Sequence, residues 1–270
     1  MLVDYHTHHY RCGHATGRME EYIEAAIAAG LTEIGLSDHS PIFHFGDDPH
    51  PLPKTAMHRD ELDRYFEEMV ALRDRYADRI TVRLGIESDY ILGWDDFYRE
   101  LWSRYPLDYV IGSVHWLGRW NIFSQALPDG KSREEVIEEY LLATQAAARS
   151  GIFQIIGHLD CLKTRGYMTS ELTSLMKETI DVIADADVAI ELNTSGWRKS
   201  CADAYPGRAL LEYAAQRGVP VTLGSDAHSP DLVAADFDRA VAQLRECGFT
   251  HLALFAQRSR RLVPLPREAA

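Results

Sequence analysis

Eight short apolar runs alternate with seven longer amphipathic stretches along the chain, and this alternation restricts the fold more than any single motif does. Strands are predicted at 2–5, 33–37, 81–86, 109–114, 153–156, 188–192, 219–223 and 251–254, and helices at 19–29, 60–76, 94–104, 132–150, 169–185, 207–217 and 231–247. Strand and helix in regular succession build a largely parallel sheet with helices packed on it. A length of 270 residues suits one α/β barrel, which typically runs to about 250 residues, better than two ordinary domains. No internal repeat, low-complexity tract or linker divides the chain, so one domain over 1–270 is expected. Ser132 before Glu134 and Glu135, and Thr169 and Ser170 before Glu171, read as helix caps. The proline-rich segment 41–58 lacks periodicity and is the one long loop, a candidate lid or wall of a site.

Chemistry-bearing residues gather at the ends of the predicted strands. Asp4, His6 and His8 are spaced by two, so their side chains share one side of the first strand. Similar pairs recur as His158 with Asp160 and as Asp226 with His228, each just past a strand. The second strand ends in Ser37, Asp38 and His39, the third in Gly85, Ile86 and Glu87, and the fourth in Ser113, Val114 and His115. Barrel enzymes build their active sites at this C-terminal face. Imidazole with carboxylate is a ligand set for zinc, manganese or iron(II), and seven histidines with two carboxylates exceed what one tetrahedral ion uses, so more than one metal is implied. Glu87 is expected inward, because Ile80, Val82, Leu84 and Ile86 face the other way; a salt bridge to Arg83 is the alternative.

Composition narrows the partners. A net charge of −13 and a pI near 5.3 disfavour broad contact with nucleic-acid phosphates, while a small anionic substrate stays possible where positive charge is concentrated. The first ten residues lack the basic and apolar regions of a secretory signal, and no run approaches the roughly 18 apolar residues needed to span a bilayer. A cytoplasmic location is expected. Cys12, Cys161, Cys201 and Cys247 form no C-x-x-C pair and read as reduced thiols, mostly buried.

Taken together, D-x-H-x-H at Asp4 to His8, the later His14, S-D-H at Ser37 to His39, G-x-E at Gly85 to Glu87, G-S-V-H at Gly112 to His115, G-H-L-D at Gly157 to Asp160 and S-D-A-H at Ser225 to His228 resemble the polymerase-and-histidinol-phosphatase (PHP) superfamily. More narrowly, C-G-H-A at Cys12 to Ala15, S-D-H-S-P at Ser37 to Pro41 and E-L-N-T-S-G-W-R-K at Glu191 to Lys199 resemble its monofunctional histidinol-phosphate phosphatases.

The resemblance implies a distorted, TIM-like (β/α)7 barrel with three divalent ions of zinc, iron or manganese. His6, His8, Glu87 and Asp226 would hold the first, Glu87 with His115 and His158 the second, and His14, His39 and His228 the third. Asp4, Asp38 and Asp160 would orient ligand imidazoles, leaving His9, His44, His50, His58 and His251 as solvent-facing or loop residues. Three dications against two carboxylates give a positive pocket suited to a phosphate monoester. The implied reaction is hydrolysis of L-histidinol phosphate to L-histidinol and inorganic phosphate in histidine biosynthesis; His228, Asp160 or a water on the metal would protonate the leaving oxygen. Arg198 is the candidate phosphate clamp, its alternative being a surface arginine lying on Trp197. Phe43, Tyr90, Trp116 and Trp120 are candidate walls for the organic part of the substrate. The competing readings are a phosphodiesterase or exonuclease acting on nucleotides, and a non-catalytic metal-stabilised module. No nucleic-acid or membrane partner is expected, and the sequence leaves oligomeric state open.

Overall fold

A computed structural model of the protein describes residues 2–124, 126–169 and 171–266. Its strands are β1 (Val3–Asp4), β2 (Glu33–Leu36), β3 (Thr81–Leu84), β4 (Glu87–Asp89), β5 (Ile111–Ser113), β6 (Trp116–Leu117), β7 (Trp120–Asn121), β8 (Ile155–Ile156), β9 (Ala189–Asn193), β10 (Val221–Gly224), β11 (His251–Ala256) and β12 (Ser259–Pro264). The helices are α1 (Met19–Ala28), α2 (Leu62–Arg75), α3 (Asp95–Ser103), α4 (Arg133–Arg149), α5 (Ser174–Asp185), α6 (Arg208–Gln216) and α7 (Phe237–Glu246). The α/β alternation is therefore present throughout. Two parallel sheets carry it, one in the order β1-β2-β3 and one in the order β10-β9-β8-β5-β4, and no closed sheet forms among the described residues. Backbone bonds cross between the sheets at both edges, from Tyr5 N to Leu223 O (3.1 Å) and from Gly85 N to Leu36 O (2.9 Å).

The predicted strand 81–86 breaks at Gly85 and resumes one residue late, as β4. A large ring packs at the break. The buried Tyr109 ring fills the space where side chains at Gly35 and Gly85 would stand, and its hydroxyl donates to Tyr5 O at 2.6 Å. Any Cβ at either glycine would collide with that ring.

The eighth predicted strand joins neither parallel sheet. As β11 it pairs antiparallel with β12, and the two form a hairpin. Its Phe255 packs against the rings of Tyr5 and Tyr109, and Phe255 N donates to the Tyr5 hydroxyl, which itself donates to Glu33. The hairpin turn is held at the N-terminal side of β5, where Asp108 accepts from Gln257 N (2.9 Å) and Arg258 N (2.8 Å). Burying one such aromatic is worth about 2–3 kcal/mol, enough to recruit a segment whose own pattern is ambiguous.

Helix boundaries follow local chemistry. Ser132 caps α4 through a capping box with Glu135. By contrast α5 starts at Ser174, capped by the Thr173 hydroxyl, and not at Thr169; Ser170 lies outside the described residues. Predicted helix 231–247 is shortened to α7 because Ala234 and Asp236 adopt positive φ (58° and 64°), conformations no helix accommodates. Among the described residues no helix is long and apolar enough to cross a membrane. All four cysteines are free thiols, three of them buried and Cys201 half-buried.

Candidate functional site

The strand ends converge on Glu87, which is only 1 % exposed. Five imidazoles face its carboxylate: His39 Nδ1 at 2.8 Å, His158 Nε2 at 2.9 Å, His6 Nε2 at 3.4 Å, His115 Nε2 at 3.5 Å and His8 Nε2 at 3.6 Å. Ser113 Oγ donates to it at 2.6 Å. Arg83 goes instead to Glu33 (3.0 Å), so the alternative of a Glu87–Arg83 salt bridge is not realised. Asp226 adds a second carboxylate, 3.2 Å from His8 Nε2 and 3.9 Å from His6 Nε2. His14 and His228 meet through their Nε2 atoms at 3.1 Å, and His115 and His158 at 3.2 Å. All nine candidate ligands are thus gathered in one place.

The donors are arranged as a cation would require. His6 Nε2, His8 Nε2 and Glu87 Oε2 are buried and, close as imidazoles and carboxylates lie, none makes a hydrogen bond of good geometry, while ligand atoms of the three residues lie within 4.8 Å of one another. Unsatisfied buried nitrogen and oxygen atoms are costly unless something else bonds them. Similar groupings join His8, His39 and His228; His6, His158 and Asp226; and His39, Glu87 and His115. Charge is balanced among these groups. Burial would push His6 down, but Glu191, Glu87 and Asp226 hold it well above the usual imidazole value. For His8 burial acts the same way, and Asp226 and Asp38 lift it to about 9. Burial wins at His39 and at His228, pushed down to about 4 and about 3.

The acidic residues behind the ligands are only partly those expected. Asp38 does orient an imidazole, accepting from His8 Nδ1 at 3.3 Å, and it also lies 3.1 Å from His9 Nδ1. His9 is accordingly buried, not solvent-facing. Asp4 binds backbone, accepting from Ser225 N (2.9 Å) and Ala234 N (3.0 Å), and so anchors the segment that carries Asp226. Asp160 touches no ligand ring; its Oδ2 accepts from Lys163 Nζ and Gly207 N, both at 2.9 Å. Two orienting carboxylates escaped the sequence reading: Asp89, 2.9 Å from His115 Nδ1, and Glu191, 2.9 Å from His6 Nδ1. Asp89 follows Glu87 by two on β4, a spacing that was there to be read.

A cavity of about 730 Å³ opens above the cluster, walled by Phe123, Cys161, Arg165, Arg198, Lys199 and Tyr205 among others. Arg198 therefore reaches the cavity, but its Nη1 donates to Asp236 (2.7 Å) and its Nη2 to Ser225 O (2.8 Å). Trp197 is covered by Arg239 at 4.1 Å. A second, smaller space of about 230 Å³ shares His14, His39, His115 and Phe123, and is closed by Lys54, Thr55 and Ala56 of the long loop and by Trp116. The loop is thus a wall. Of the four aromatic candidates only Trp116 reaches these spaces: Tyr90 lines a separate groove, Phe43 packs on Phe97 and Tyr98, and Trp120 lies near Tyr167. Phe123 and Tyr205 take the places expected of them, and no local spacing marks either.

Residues 4–195 match the PHP domain family. The chain belongs to that family. Over its PHP domain and beyond, it is 38 % identical to a probable histidinol-phosphatase of Deinococcus radiodurans, across 92 % of this chain and 94 % of that one. It is 29 % identical to the histidinol-phosphatase of Bacillus subtilis, covering 83 % and 92 % respectively. The PHP fold described above also superposes on the crystal structure of histidinol phosphate phosphatase from Lactococcus lactis, complexed with zinc, L-histidinol and phosphate, with a TM-score of 0.81, 24 % identity and coverage of 96 % and 98 %.

Proposed function

We propose that the protein hydrolyses L-histidinol phosphate to L-histidinol and inorganic phosphate in histidine biosynthesis, acting in the cytoplasm. The observation that carries this reading is the convergence of five imidazoles on the buried Glu87 beneath a cavity rimmed by Arg165, Arg198 and Lys199. The relatives' names give the substrate class. We further propose a single domain in which β1, β2, β3 with β4, β5, β8, β9 and β10 act as the seven staves of a distorted barrel, a reading supported by the backbone bonds linking the two sheets.

His6, His8, Glu87 and Asp226 would hold one divalent ion, Glu87, His115 and His158 a second, and His14, His39 and His228 a third, with zinc, iron and manganese all suited to such donors. Ions bound there supply Lewis-acid polarisation of the phosphoryl oxygens and a lowered pKa for water. The chain's own residues do the rest. Arg165, Arg198 and Lys199 bring positive charge to the rim where a phosphate dianion enters, although Arg198 must share its guanidinium with Asp236. Trp116 and Phe123 offer apolar faces to an imidazole ring and keep water from it. Of the two side chains considered for protonating the leaving oxygen, His228 has both nitrogens engaged, Nδ1 with Asp226 O (2.9 Å) and Nε2 towards His14. Asp160 keeps a buried Oδ1 free of hydrogen bonds, and burial raises its carboxyl above the ordinary range against the pull of Lys163. We propose Asp160 as the donor, although it lines neither space and would have to turn its free Oδ1 towards the substrate.

Release of inorganic phosphate from a panel of phosphomonoesters and dinucleotides tests the assignment. Histidinol phosphate should show the highest kcat/KM, and faster cleavage of a dinucleotide would overturn it in favour of the nuclease reading.

The wall formed by 41–58 gives a milder expectation. Arg59 pins this loop by donating to Ile42 O (2.8 Å), Phe43 O (3.2 Å) and Gly46 O (2.7 Å). Arg59→Ala should raise KM for histidinol phosphate roughly 3- to 10-fold, about 0.7–1.4 kcal/mol, less than the anchoring lost because only part of it is felt at the substrate, with metal content unchanged. An unaltered KM would mean that the loop does not shape the substrate space.

A further inference from the structure

Among the strands of the two parallel sheets, β9 alone carries none of the nine candidate ligands either within it or just beyond its C-terminal end, yet its inward residues touch three of them. Glu191, 1 % exposed, accepts from His6 Nδ1 through both oxygens (3.0 and 2.9 Å) and through Oε1 from the backbone N–H of His158 (2.8 Å). Two residues on, Asn193 donates through Nδ2 to Glu191 Oε1 (2.8 Å) and to Asp226 Oδ2 (3.3 Å). Two further on, Ser195 Oγ donates to that same Asp226 oxygen at 3.0 Å, while Ser195 N donates to Asn193 Oδ1. Room is reserved for the carboxylate, since any Cβ at Gly224 on the neighbouring β10 would strike Glu191 Oε2.

The residues reached this way are those most in need of holding. His158 and Asp226 both have positive φ (21° and 53°), a backbone region that L side chains rarely adopt, so their conformations persist only where neighbours enforce them. His6 has a different need: its Nε2 can bond an ion only while the ring proton sits on Nδ1, and a carboxylate facing Nδ1 keeps it there.

We infer that Glu191, with Asn193 and Ser195, is a positioning rail that fixes the tautomer of His6 and the orientation of His158 and Asp226, so that β9 sets the geometry of ion binding without contributing a ligand. The inference rests on the metal-site reading above and deepens it.

Glu191→Gln isolates the effect. With its amide oxygen kept where His158 N–H and Asn193 Nδ2 donate, its NH2 group takes the place of Oε2 against His6 Nδ1, so the ring loses the charged acceptor and one of the two oxygens that hold its proton there. Turned the other way, the NH2 group opposes two donors. Zinc affinity measured by chelator competition should fall roughly 10- to 100-fold, the range usual for loss of a carboxylate behind a ligating histidine. The zinc-free variant should melt within about 3 °C of zinc-free wild type, because the substitution is isosteric. Ser195→Ala, which leaves Glu191 in place, should weaken zinc binding about 3- to 10-fold through Asp226 alone. Should Glu191→Gln fail to fold, Ser195→Ala decides. Wild-type affinity in the folded Glu191→Gln protein, or in Ser195→Ala, would overturn the rail. Failure of wild type itself to bind zinc would instead overturn the metal-site reading beneath it.

Discussion

Glu87→Gln should cost ion binding and turnover together. Five imidazoles surround this one carboxylate, and it is shared between two of the proposed ions, so its removal weakens both sites where loss of a terminal histidine weakens one. Gln cannot supply the negative charge and presents an NH2 group to ring nitrogens that need an acceptor or an ion. We expect kcat/KM for histidinol phosphate to fall on the order of 10³-fold or more, with elemental analysis of the purified variant giving at least one ion fewer per chain than wild type. Full ion content with near-normal turnover would remove Glu87 from the bridging position.

Asp160→Asn should separate proton delivery from ion binding. The asparagine oxygen can still accept from Gly207 N and Lys163 Nζ, so the local fold is retained, while the atom that would carry the proton is replaced by an amide nitrogen. A lost general acid typically costs about 10² to 10⁴ in kcat, and the leaving group here is an alkoxide that needs its proton. The loss should appear in kcat with little change in KM or in metal content. If kcat is retained, or if ions are lost in parallel with activity, Asp160 is a structural anchor for the loop at Gly207 and not the acid.

The contrast between these two residues shows how far the sequence could be read. Glu87 was legible because its position depends on a few neighbours: a run of alternating apolar residues defines which way the strand faces, and a residue at odd spacing from that run points to the other side. The same local rule brought out Asp4, His6 and His8 on one strand. It said nothing of what those side chains would meet. Asp4 was expected beside an imidazole and is instead bonded to the backbone at Ser225 and Ala234, more than two hundred residues away. Arg198 was expected to be free for phosphate and is partly taken by Asp236, which a turn after β10 brings across to it.

What the sequence determined by itself, then, was the α/β succession and the identity of the residues at the strand ends, because strand period, helix period and turn chemistry act over a few residues and leave their mark in the order of the chain. The tertiary structure decided which groups face one another. Glu191 finds His6 because β9 lies beside β10, which bonds to the segment after β1; Tyr109 fills the space above Gly35 and Gly85; and β11 leaves the parallel sheets for a hairpin that covers Tyr5. Such pairings depend on strand order, register and the close packing of large rings, which no local pattern encodes, since they are set by contacts between segments far apart in the chain.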